Sequence, residues 1–205
     1  MHLLRRGLLT RLPAVAGAAA LTLSPRAGDA RAAGTRSVTF TPVGELTAEE
    51  RRRHERYMQL ALDKLEVDHA EAPPGPFAAV IVNRHTGEVV CEGINRYRES
   101  PTFHGEMVAL NACARVTPKV EWRDLALYTT AEPCPMCMSA IVWTRIPEVI
   151  YGTSVEELIK LGVNQFRLDS VTVAAAAPFY SGRIVGGVLA ERADPIYRRW
   201  AARFK

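Results

Sequence analysis

Apolar residues change their spacing several times along this chain, and each change marks an element. Tyr57, Leu60, Ala61 and Leu65 recur at helical spacing behind Thr47 and Glu50, which stand three apart as a capping box. This predicts a first helix lying across a sheet, with the charged residues 49–55 on its solvated face. Pro73, Pro74, Gly75 and Pro76 end that helix. Residues 77–82 are then an unbroken apolar run, suited to a strand buried on both faces. Turn chemistry at 83–87 returns the chain as a second strand over 88–93, completing a hairpin.

Beyond a loop at 95–101, strand and helix patterns alternate. Residues 105–115 read as a helix stopped before Pro118, 125–130 as a strand, 135–145 as a helix stopped before Pro147, and 149–152 as a strand. Ser154 and Glu157 form a second capping box and start a short helix to Leu161. Residues 171–175 are expected as the last strand and 195–205 as a terminal helix, while 34–44 read as a linker. Alternation of this kind predicts parallel strands covered by helices in an α/β domain at 47–205. At 205 residues, one domain plus a tail is the expected organisation.

Charge changes the picture of that tail. The net charge of +4 suggests an acidic partner, yet five of the 26 basic residues and only one of the 22 acidic ones lie within 1–32. The remaining body carries 21 of each and is formally neutral. Nucleic-acid binding is therefore disfavoured, because it depends on excess Lys and Arg. Residues 1–32 have the parts of an export signal: Arg5 and Arg6, a short apolar run over 14–23, and Ala30-Arg31-Ala32 as a cleavage site. The paired arginines resemble a twin-arginine signal, the route for proteins exported already folded with their cofactor. The run is too short for a stable membrane span. An Arg-rich organelle transit peptide shares the composition and is the competing reading.

Of four cysteines, Cys134 and Cys137 alone stand at metal-like spacing. At a helix start their sulfurs project from one side, Pro135 suits the first helical position, and the helix dipole favours ionised thiols. A C-x-x-C by itself is equally a redox or structural motif. Here it follows His104-Gly105-Glu106 by thirty positions, and each set opens a helix. His104 as third ligand leaves the fourth tetrahedral position open, the mark of a catalytic zinc site. Cys113, nine residues beyond His104, lies roughly 13 Å further along a helix and cannot share the ion; Cys91 is expected in the core. Glu106 converges on the site only if His104 is a helix cap with non-helical backbone angles. It can then take a proton from the activated water and deliver it to a leaving group. His69-Ala70-Glu71 spells the same H-x-E, but it precedes the proline cluster and has no helix to carry it.

Together, H-x-E and P-C-x-x-C resemble the signature of the cytidine-deaminase-like superfamily of zinc deaminases. The resemblance covers roughly 47–200 and is closest to bacterial guanine deaminases and tRNA adenosine deaminases. Gly75-Pro76-Phe77-Ala78-Ala79-Val80-Ile81 looks like their G-P-F-G-A-V-I strand, Asn95 like their base-binding asparagine, and residues 132–137 like their E-P-C-x-M-C. It implies a three-layer α/β/α fold on a five-stranded mixed sheet, one zinc per chain, a homodimer, and Phe77 and Asn95 as substrate-binding residues. Gly105 departs from the usual H-A-E, and Phe103 stands where alanine is common, as a possible reshaping of the pocket wall. The resemblance also implies hydrolytic deamination of a free purine base or nucleoside, guanine first. A tRNA adenosine substrate is the nearest rival, disfavoured by the neutral body and the export signal. Cytosine or cytidine deamination and a non-catalytic zinc-stabilised binding module are the further alternatives.

Overall fold

A central sheet is built from strands drawn from distant parts of the chain, and helices cover both its faces. We describe a computed structural model over residues 37–68, 75–116 and 119–204. The leader at 1–32, the His69 to Glu71 motif and Pro73, Pro74 and Pro118 lie outside the described residues.

In chain order the elements are β1 (Val38–Pro42), α1 (Ala48–Asp68), β2 (Ala78–Asn83), β3 (Val89–Ile94), α2 (Gly105–Cys113), β4 (Leu125–Ala131), α3 (Pro135–Thr144), β5 (Glu148–Thr153), α4 (Val155–Lys160), α5 (Ser170–Ala175), β6 (Gly182–Gly186) and α6 (Ala190–Ala201). The sheet runs β1-β6-β5-β4-β2-β3, so it has six strands where the resemblance implied five. β1, β6, β5 and β4 are parallel neighbours, and the β2–β3 hairpin joins antiparallel to β4. The extra strand arises inside the stretch read as a linker: Val38 to Pro42 register against Gly182 to Gly186 at the sheet edge. Its residues are half-buried or, at Thr39 and Phe40, exposed, so nothing in its local pattern betrays a core strand.

Alternation along the strands sorts the core into two layers. Ala78, Val80, Val82, Ala126 and Tyr128 face α1 and α6, whereas Ala79, Ile81, Leu125 and Leu127 face α2, α3 and α5. At the start of α1, Thr47 Oγ1 accepts from the Glu50 amide at 3.2 Å, and the Glu50 carboxylate takes the Thr47 amide at 3.0 Å. The Ser154 hydroxyl likewise accepts from the Glu157 amide at the start of α4.

Two expectations near the C-terminus need correcting. The segment expected as the last strand is helix α5: the Asp169 carboxylate caps it through the Thr172 amide at 2.6 Å, which overrides the β-branched residues that suggested extension. The last strand is instead β6. The terminal helix begins at Ala190 and carries Pro195 inside it, five residues earlier than the proline suggested. Cys91, buried as expected, is also disulfide-bonded to Cys113 with Cα atoms 5.5 Å apart, tying β3 to the last residue of α2. Trp143, in the last turn of α3, is 74% exposed, its ring set against Phe179 at 5.0 Å. Among the described residues no helix is long and apolar enough to cross a membrane.

Candidate metal centre and active site

His104 and Cys134 occupy equivalent places: each is the extended residue that caps a helix, with φ and ψ of −64° and 158° for His104 and −63° and 166° for Cys134. The condition set for Glu106 is thereby met, since the backbone leaves the helix at His104 and lets both side chains turn to one side. Pro135 takes the first position of α3, and Cys137 follows one turn on.

Across the thirty-residue gap, His104 Nδ1 lies 3.5 Å from Cys134 Sγ and 3.6 Å from Cys137 Sγ. Zn–S and Zn–N bonds of about 2.3 and 2.05 Å at tetrahedral angles require an S–N edge of about 3.6 Å. All three donor atoms fall within 4.8 Å of one another, so the set fits one zinc ion with a coordination position to spare. A hydrogen bond from Cys137 holds the Cys134 thiol well below the usual thiol range, and the same contact together with burial pushes Cys137 up. The pair thus shares a proton that metal ligation releases.

Glu106 is 6% exposed and sits on the first turn of α2. Burial pushes its carboxyl up, and the Thr129 hydroxyl donates to its Oε1 at 3.1 Å. A cavity of about 450 Å³ opens over this group, lined among others by Phe77, Asn95, His104, Glu106 and Cys134. Five of the sequence-expected site residues thus line one cavity, and Cys137 lies buried behind it against His104. Phe77 packs on Tyr197 and Trp200, with centroids 5.1 and 6.1 Å away. Asn95 is held by its amide to the Phe77 carbonyl at 2.9 Å and by Nδ2 to the Gly75 carbonyl at 3.2 Å. Phe103 does not line the cavity; it is 36% exposed in the loop before α2.

The departure at Gly105 has a steric reason. A Cβ there would stand 2.9 Å from the Phe77 carbonyl oxygen and 3.0 Å from Ala78 Cα, so α2 abuts β2 at its first residue. Gly93 serves the same closeness from β3, where a Cβ would meet the Ala109 amide nitrogen at 2.3 Å.

Sequence reasoning missed Thr129, Tyr97, Trp200, Glu132 and the wall at 161–165. Only Glu132 carried a signal, its place in E-P-C. Its carboxylate accepts from the Val155 and Ser170 amides at 2.9 and 2.8 Å, bracing the two ends of the stretch that contains the wall.

Comparison with known proteins agrees with this geometry. Residues 51–153 match the family described as the cytidine and deoxycytidylate deaminase zinc-binding region. A guanine deaminase of Bacillus subtilis is 35% identical over 112 residues, 52% of this chain and 70% of that protein. A tRNA-specific adenosine deaminase of Rickettsia felis is 28% identical over 148 residues, 71% of this chain and 94% of that protein. A crystal structure of a variant of the protein NE0047 in complex with 8-azaguanine superposes with a TM-score of 0.62 at 25% identity, covering 73% of this chain and 86% of the other.

Fold and ligand set together define a zinc-dependent hydrolytic deaminase acting on a nucleobase or nucleoside. The chain belongs to the cytidine and deoxycytidylate deaminase zinc-binding family.

Proposed function

We propose that this protein hydrolyses the exocyclic amine of a free purine base, guanine foremost, with His104, Cys134 and Cys137 as zinc ligands and Glu106 as proton shuttle. The observation that carries the reading is the buried Glu106 carboxylate sharing one cavity with a three-ligand set spaced for a tetrahedral ion. When bound there, zinc supplies Lewis acidity that makes water nucleophilic near neutral pH. Glu106 accepts a proton as water adds to the amine-bearing ring carbon, then gives a proton to the amine nitrogen. The carbon–nitrogen bond breaks, ammonia leaves and a ring carbonyl remains. Phe77 offers an apolar face to the base, and Asn95 is held rigid at the cavity wall for polar contact.

Guanine is favoured by the 35% identity to a guanine deaminase and by the 8-azaguanine bound in the NE0047 structure. The longer match, over 148 residues, to the tRNA-specific adenosine deaminase of Rickettsia felis favours a second reading, a tRNA adenosine substrate. Ammonia release from a panel of amino-purines and amino-pyrimidines, free, as nucleosides and within tRNA, separates them: turnover of guanine alone supports the first, and turnover of tRNA alone overturns it. Within the same assay Glu106→Gln is expected to keep one zinc per chain and lose about a thousandfold or more in rate. An active variant refutes the shuttle.

An oxidising compartment, reached by a twin-arginine-type signal at 1–32, is the location we propose. The Cys91–Cys113 disulfide supports it, since such bonds are rare where glutathione keeps thiols reduced. N-terminal sequencing of the mature protein beginning at residue 1 would contradict export. We also propose a homodimer, supported by the 74% exposure of Trp143 beside Phe179; light scattering showing a monomer at micromolar concentration would refute it.

A further inference from the structure

We propose that Thr129 is a positioning residue that pins one oxygen of Glu106 and so assigns proton transfer to the other; this rests on the shuttle role given to Glu106 above. β4 is a central strand, with Thr129 registered against Ala79 of β2 and Tyr151 of β5. Its backbone is therefore fixed from both sides, and a β-branched side chain has little χ1 freedom. Along β4, Leu125, Leu127 and Thr129 share the face toward α2 and α3. The first two are wholly buried leucines, and Thr129 is itself 1% exposed.

A valine would fill that column equally well. A hydroxyl buried in apolar surroundings is costly unless it is bonded, and its bond is the one it donates to Glu106 Oε1 at 3.1 Å. The neighbouring Thr130 behaves differently: its hydroxyl, on the opposite face, accepts from the Tyr197 hydroxyl at 2.7 Å and from the Ala78 amide at 3.1 Å, tying strand to helix. Of two adjacent threonines, one braces the fold and one reaches the reacting carboxylate.

Pinning matters because the terminal torsion of a glutamate is broad and nearly two-fold. The carboxylate also bonds the Glu106 backbone amide and Cys137, but without the Thr129 hydroxyl it loses the anchor on the sheet side and, with it, alignment with the proton it must carry. With Thr129 donating to Oε1, the proton is received and released at Oε2. The bond survives the whole cycle, because Oε1 remains an acceptor whether the carboxyl is ionised or protonated on Oε2. Thr129 belongs neither to the cavity lining nor to the ligand set, so its effect is confined to the step Glu106 performs.

The test compares Thr129→Val and Thr129→Ser with the parent on the fastest substrate of the panel, alongside Glu106→Gln. Thr129→Val is expected to lower kcat by about 10- to 100-fold, the worth of one hydrogen bond to a carboxylate, with KM within about twofold. Zinc content should remain one per chain, and Thr129→Ser should recover kcat to within about threefold of the parent. A crystal structure of Thr129→Val should show the Glu106 carboxylate in more than one orientation. Unchanged kcat in Thr129→Val, failure of serine to rescue, or a single unaltered carboxylate orientation in Thr129→Val overturns the proposal while leaving the shuttle intact. If Glu106→Gln retains full turnover, the shuttle reading itself falls, and the assignment of Thr129 with it.

Discussion

At residue 105 the chain admits no side chain, because α2 begins in contact with the backbone of β2. Gly105→Ala must push the first turn of α2 away from the Phe77 carbonyl, and His104 moves with it. Overpacking of this kind typically costs about 1–3 kcal/mol; here the expected outcome is a lower melting temperature together with weakened zinc retention against a chelator. Normal zinc affinity in a stable Gly105→Ala variant would show that the ligand position is independent of that contact. A second residue, His54, is not among those that line the cavity. It is wholly buried, with Nδ1 3.1 Å from the Tyr128 hydroxyl, Nε2 3.9 Å from a Glu148 oxygen, and Arg53 and Arg183 nearby. Burial pulls its pKa down from 6.5 to about 4. Between those values the unfolded chain binds a proton that the folded one refuses, so stability rises with pH across the window and is fully present above it. Denaturant midpoints at pH 5 and 7 should differ more for the parent than for His54→Gln; equal differences would exclude His54 as the cause.

Element by element, the disulfide and the helix caps decide how firmly the site is held. Cys91–Cys113 closes a segment with a sequence separation of 22 and fastens the far end of α2, whose near end carries His104 and Glu106. The chain-entropy view assigns such a closure about 3 kcal/mol. A Cys91→Ala/Cys113→Ala variant is expected to lose stability of that order in denaturant melts. A loss below about 0.5 kcal/mol would mean that the packing of β3 on α2, with no room for a Cβ at Gly93, already suffices. The caps were legible in advance: Thr47 with Glu50 and Ser154 with Glu157 stand at the right offset, and both threonine and serine hydroxyls take the expected amides. The cap of α5 was not read, because Asp169 precedes residues whose branching resembles a strand, and a single side-chain bond outweighs that propensity. β1 was missed for a different reason. Its hydrogen-bonding partner, β6, begins at Gly182 on the far side of the chain, and pairing at that separation leaves no local periodicity to find.

For the molecule as a whole, charge bears on the choice between a small substrate and a tRNA. The body outside residues 1–32 carries equal numbers of acidic and basic side chains, so a chain freed of those residues, as the proposed export requires, lacks the excess cationic charge that draws a polyanion from a distance. Mature protein is expected to bind tRNA weakly at physiological salt, measured by fluorescence anisotropy. Tight binding that falls steeply as salt is raised would move the substrate ranking toward tRNA.

What the sequence determined by itself is whatever a short stretch of chain decides: the helical and extended periods, the caps, the proline stops, and the spacing of His104, Glu106, Cys134 and Cys137 at helix starts. These depend on neighbours within about one turn, and turn geometry transmits directly from residue order to shape. Only the tertiary structure decided that the two helix starts face each other within ligand distance, that Thr129 meets Glu106 across 23 positions, and that Cys91 lies against Cys113. Those contacts come from sheet order and register, which burial of both faces selects collectively, so no single segment encodes them.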